Sequence, residues 1–134
     1  MKKILLIAFV SILGACVSKS VKKVSGISPG SEICIVKNNM VSRDFFDAYN
    51  NTLNNAGFTT KEISNPNECE IYTTYVAHFG QHWGLYLSRA QLDVYKNGNL
   101  VGSATYKAPR ADPSKHGRVE VKIQKLVNEM FSAL

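Results

Sequence analysis

The sequence predicts a small α/β domain of the α+β type, with an antiparallel-rich sheet, the element order βαββββα and both helices on one face. Three observations predict it. Apolar residues alternate with period two around 69–77 and again through 85–108; apolar residues recur at helical spacing near 43–56 and 118–134; and Asn97-Gly98 sits between two alternating runs as a hairpin signal.

The first strand is read at 32–37, sequence EICIVK, and Asn38 and Asn39 end it. Ser42 is a helix cap, and Phe45, Phe46, Tyr49, Leu53 and Ala56 follow along one helical face until Gly57 closes the helix in the left-handed conformation. A second strand at 59–63 runs into the polar break SNPNE. In the third, Cys69, Ile71, Thr73, Tyr75 and Ala77 share one face, with Tyr72, Thr74 and Val76 on the other.

The last two strands form a hairpin with two competing registers. A two-residue type I′ loop pairs Lys96 with Asn99 and sets Leu92 opposite Ser103. A type I turn with Gly98 as a bulge pairs Tyr95 with Asn99 and puts Ala90, Leu92 and Val94 on the face of Leu100, Gly102 and Ala104. The second is favoured, because it collects the apolar residues and leaves Gly102 and Ala104 to admit a helix close above the sheet. After the turn-rich 108–117, a terminal helix presents Ile123, Leu126, Val127, Met130, Phe131 and Leu134 on one side. Each helix has one apolar stripe, so one sheet face is covered and the other is open, carrying Tyr72, Tyr95 and Tyr106 in this reading.

Ahead of the domain, Lys2 and Lys3 precede the apolar run 4–10, and Leu13, Gly14, Ala15 and Cys16 form a lipoprotein cleavage box. Residues 1–15 are read as a signal peptide, with Cys16 as the acylated N-terminus of the mature chain. The apolar run is too short to span a bilayer. No Asp follows Cys16, which in enteric-type sorting permits transfer to the outer membrane, with the domain facing the periplasm. Residues 16–31, rich in Ser, Lys, Gly and Pro, are expected to be a flexible tether, and 32–134 a single domain.

Loss of Lys2 and Lys3 takes the formal charge from +6 to +4, and the remaining basic residues are scattered. That pattern argues against a nucleic-acid partner. Cys34 and Cys69 are the two cysteines of the domain; an oxidising periplasm permits them to pair, and two buried thiols would suit the same positions. No C-x-x-C motif is present.

The segment AHFGQHWGLY concentrates His78, Phe79, Gln81, His82, Trp83 and Tyr86 in what reads as a loop between strands. Large aromatic surfaces with directional polar groups suit a protein or glycan partner, while Trp83 and Tyr86 could equally plug the end of the core. His78 and His82 are four residues apart, but Gly80 and Gly84 disfavour a helix and no H-E-x-x-H motif exists; His116 stands elsewhere. Ser88, His82 and Asp93 are the residue types of a triad without a G-x-S-x-G elbow, and the pairs Asp44 with Asp47 and Glu68 with Glu70 lack a defining context. No phosphate cradle follows a strand. Accordingly no catalytic, cofactor or metal residue is assigned.

The pieces 35–41 (IVKNNMV), 69–75, 83–87, 102–106 (GSATY) and 126–131 (LVNEMF) resemble small Gram-negative envelope lipoproteins of poorly defined function. The architecture is similar to the α/β domains of envelope-assembly lipoproteins, including the curli-secretion and outer-membrane-assembly types. The resemblance implies the fold more than the function; the lipobox, the spacer and a compact domain without a catalytic constellation point to a non-catalytic, outer-membrane-anchored interaction module with an envelope protein or glycan partner, and the aromatics of the open face suit a homodimer. The alternative is a small periplasmic hydrolase or ligand-binding lipoprotein.

Overall fold

The computed structural model describes residues 18–109 and 117–134. Its elements are β1 (Ser18–Lys22), β2 (Glu32–Val36), α1 (Arg43–Asn55), β3 (Thr59–Ile63), a 3-10 turn (Pro66–Glu68), β4 (Ile71–Gln81), β5 (Leu85–Lys96), β6 (Asn99–Lys107) and α2 (Val119–Met130). From β2 onward this is the expected order. The strands form one sheet in the order β1-β6-β5-β4-β2-β3, antiparallel except where β2 pairs with β3 and β4. Being central and parallel, β2 is apolar on both faces, and Ile33, Cys34 and Ile35 are all buried.

Helix α1 begins where Ser42 Oγ accepts a hydrogen bond from Phe45 N at 3.4 Å. It ends in a Schellman arrangement. Gly57 has φ +99, Gly57 N donates to Asn54 O at 3.0 Å, and Phe58 N donates to Leu53 O at 3.1 Å. Ala56 is the C-cap and exposed rather than part of the apolar face. Phe45, Phe46 and Tyr49 pack on Tyr75 of β4 with ring centroids 6.0–6.2 Å apart, and Phe58 packs on Phe131 at 4.7 Å. Both helices lie on the same sheet face over Ile33, Ile35, Leu92, Val94 and Ala104. Leu134, beyond the last turn of α2, is exposed.

Tyr49 is fully buried, and its hydroxyl shares a 2.7 Å hydrogen bond with Thr73 Oγ1. Thr73 Oγ1 is also 2.7 Å from Asp93 O, to which it donates. Burial, opposed in part by the Thr73 bond, raises the Tyr49 phenol well above its ordinary value of 10.0. Its stabilising contribution is therefore complete below the unfolded-state pKa and is lost as pH rises from about 10 toward the folded value. Tyr49→Phe is expected to lower stability by about 1 kcal/mol at neutral pH through the lost hydrogen bond. The gap to the parent should narrow above pH ~10; urea midpoints at neutral and alkaline pH check this, and a constant gap would contradict it.

Two further expectations about the strands and the tether need correction. The Asn97-Gly98 tip has φ 50 and 79, a type I′ turn pairing Lys96 with Asn99, rather than the favoured Gly98 bulge. The register shifts two residues farther on: Tyr95 pairs Leu100, Val94 pairs Gly102 and Val101 is the extra residue. The turn chemistry demands one register and the apolar pattern another, and the bulge satisfies both. Leu92 thus lies opposite Ala104 on the helix side, Leu100 is exposed, and Tyr106 is buried under the helices rather than on the open face.

The second correction concerns the tether. Residues 18–22 form edge strand β1, antiparallel to β6 from Ser18↔Lys107 to Lys22↔Ser103. The chain then straps the helix-covered face: Val24 is 0% exposed and its N–H donates to Met130 O at 2.7 Å, Ser25 N donates to Val101 O at 3.2 Å, and Ile27 is buried. Gly102 admits this strap, not a helix, since a Cβ there would meet Val24 Cγ2 at 2.2 Å. A polar composition averages out Val21, Val24 and Ile27, which cannot fold alone but need only a core already built by other elements. Residues 1–15 and Cys16 lie outside the described residues.

Candidate functional site

The open face is mostly polar, with Thr74, His78, Arg89, Gln91, Asp93, Ser103, Thr105 and Lys107 at its register positions and Val76 and Leu100 as exposed apolar residues among them. In it Tyr72 and Tyr95, a cross-strand pair, stack at 4.9 Å with 14° between rings. Asp93 lies between the tyrosine pair and Gln91, whose amide donates to it at 3.0 Å; partial burial raises its carboxyl above the usual value, opposed by that bond.

The segment expected to be a loop is instead the far half of a long hairpin. β4 pairs with β2 only at Cys34↔Tyr72 and Ile35↔Thr73, and β6 reaches β5 as far as Arg89↔Lys107. Beyond those rows β4 and β5 continue as a two-stranded arm through Phe79↔Leu87, Gly80↔Tyr86 and Gln81↔Leu85. A bulge at Ser88 bends the arm at its base, where Ser88 Oγ donates to His78 O at 2.9 Å and Ala108 N donates to Ser88 O at 2.9 Å.

The arm turns at His82, Trp83 and Gly84, with His82 N donating to Gly84 O at 3.1 Å. Trp83 has φ 59, a left-handed conformation that costs a bulky residue of order 1–3 kcal/mol, yet its side chain is 91% exposed. Leu85 is 71% exposed and Phe79 is also exposed. Tyr86 lies across the opposite strand, so close to Gly80 that a Cβ there would meet its ring at 2.7 Å. The structure therefore brings Phe79, Gln81, His82, Trp83 and Tyr86 to one projecting tip and leaves His78 at its base on the open face. Trp83 does not plug the core; Leu87, one turn of the pleat farther in, is the buried residue.

Elsewhere the chemistry is sparse. Ser88 is bonded to a backbone carbonyl, Asp93 to Gln91, Asp47 lies 3.4 Å from Arg43, and Glu68 caps the 3-10 turn. Among the described residues, Glu32, Cys34 and Cys69 form the one group of three potential metal ligands within 4.8 Å of one another. The two sulfurs are joined as a disulfide, Sγ–Sγ 2.03 Å, and so are not thiolate ligands in this form. Sequence reasoning missed that Glu32, Glu68 and Glu70 gather around this bridge in a shallow groove of about 400 Å³. A second groove, about 470 Å³ between α1 and α2, is lined by carboxylates and amides, including Asp44, Asp47 and Glu120. Neither groove contains His78 or His82, so neither joins a histidine to a nucleophile. His116 lies outside the described residues.

No helix among the described residues is long and apolar enough to cross a membrane. No protein-family model and no curated protein matches the sequence. A solved structure matches the fold. The fold is similar to that of PelC. The match, to a PelC dodecamer from Paraburkholderia phytofirmans, has a TM-score of 0.58 at 11% identity and covers 84% of this chain and 94% of that one. At such identity the likeness to PelC establishes the architecture, including the sheet and both helices, and the residues of the hairpin tip must be read on their own.

Proposed function

We propose that this chain is an outer-membrane-anchored, periplasm-facing module that serves envelope assembly or maintenance by stoichiometric binding, without chemical turnover. The likeness to PelC carries the reading: the match covers 84% of this chain and 94% of that one, and PelC was solved as a dodecamer. That supports a rigid domain whose work is assembly with further copies and an envelope partner, in preference to a closed dimer. Cys16 in its cleavage box supports attachment through acyl chains, more than one of which is needed for stable anchoring.

The test is photocrosslinking in intact cells with a reactive residue at Lys61 on the outer edge strand β3, or at Tyr72 on the open face. Adducts at multiples of the chain's own mass, or with one defined envelope protein, are expected. Recovery of monomer alone from every position sinks the proposal. Cys16→Ser is expected to abolish acylation and release the domain from the membrane fraction while leaving it folded, as mass measurement of the mature N-terminus and fractionation would show.

A further inference from the structure

The register places the start of β1 and the exposed hairpin tip at the same end of the molecule. Ser18 pairs Lys107, Lys107 pairs Arg89, and Arg89 pairs His78, so these four residues form one row across the sheet. β1 runs away from that row and β4 runs through it, so the chain enters the domain where the arm leaves it. Beyond the row the arm extends three further residues on β4, about 10 Å, before it turns at Trp83.

Only Val17 separates Cys16 from Ser18, so the two α-carbons are at most about 7 Å apart. An acylated Cys16 therefore holds this end of the sheet against the bilayer with no spacer to lift it away. The tip is within reach of the same surface and carries residues suited to it. Trp83 and Leu85 are exposed apolar side chains, and the row behind them holds the exposed cations Arg89 and Lys107. Tryptophan belongs at the headgroup level, where an amphipathic ring is half in hydrocarbon, and cations behind it meet anionic headgroups.

We infer that the occupant of the hairpin tip is the lipid surface: Trp83 and Leu85 enter the headgroup region of the leaflet that carries the chain's own acyl group, as a second contact fixing the domain's orientation. This rests on the lipid-anchor reading of Cys16. A protein partner on the tip is the competing occupant. Geometry favours lipid, because the anchor confines the tip to within a few residues' length of the bilayer.

Trp83 is the only tryptophan of the chain, so its fluorescence reports the tip alone. The full acylated protein, reconstituted in vesicles of phosphatidylethanolamine and phosphatidylglycerol, is expected to show blue-shifted emission, loss of most acrylamide quenching, and strong quenching by lipids brominated near the glycerol end of the chain. Water-exposed emission with unchanged acrylamide access overturns the inference. So does a blue shift without bromolipid quenching, which would put the tip against protein. Mass measurement of the N-terminus in the same sample separates the two readings: an unmodified terminus overturns the anchor and the inference together, whereas an acylated terminus with Trp83 in water overturns the inference alone. As a check on orientation, Leu85→Ser should reduce the bromolipid quenching of Trp83 without altering the far-ultraviolet spectrum of the domain.

Discussion

Joint replacement of Cys34 and Cys69 by alanine is expected to lower the unfolding free energy by about 3–4 kcal/mol, the entropy of closing a loop over their separation of 35 residues. Local structure concentrates the effect. The parallel ladder between β2 and β4 has only the pairs Cys34↔Tyr72 and Ile35↔Thr73, and the bridge is the covalent link between β2 and the segment entering β4. Cys34 is buried and its α-carbon lies 6.3 Å from that of Cys69, so two alanines leave a small void between backbones that no longer share a bond. Denaturant unfolding of the double variant checks the magnitude, with reduced parent protein as a control expected to behave alike. A loss below about 1 kcal/mol would mean that the denatured chain is already restricted near these residues, against the loop-entropy account.

Gly102→Val is expected to cost about 3 kcal/mol, at the upper end for forcing atoms into a packed interior. The added Cβ would lie 2.2 Å from Val24 Cγ2 and 2.8 Å from Val24 Cα. A side chain alone could turn aside; the α-carbon belongs to a strap held by Val24 N to Met130 O and by Ser25 N to Val101 O, so the strap must lift. Lifting exposes Val24 and Ile27 and frees Lys22 and Lys23 for cleavage. Thermal unfolding and limited trypsin digestion read the two consequences separately. Unchanged stability with no new cut would show that residues 23–27 are not integral to the domain.

Helix α1 and the β5–β6 hairpin show where sequence reading works. α1 was legible to its ends: Ser42, the spacing of Phe45, Phe46, Tyr49 and Leu53, and Gly57 each carry local information, and local backbone preference decides the outcome there. The Asn97-Gly98 hairpin was legible in part. Its turn type is local, but the bulge at Val101 arises because Leu92 must share a face with Ala104, a constraint set by the helices above.

The sequence by itself determined the element order from β2 onward, the two helices, the residues of the covered face on β4 and β5, and the grouping of aromatic and histidine residues between 78 and 86. Each follows from periodicity, capping or turn chemistry within a few residues. Only the tertiary structure decided that residues 18–31 are edge strand and strap, that Tyr106 is buried, that Trp83 stands on a projecting arm, and that the arm and the start of β1 share one end of the sheet. Those depend on pairings between residues as far apart as Ser18 and Lys107, whose partners are chosen by shared burial, and no local pattern carries that choice.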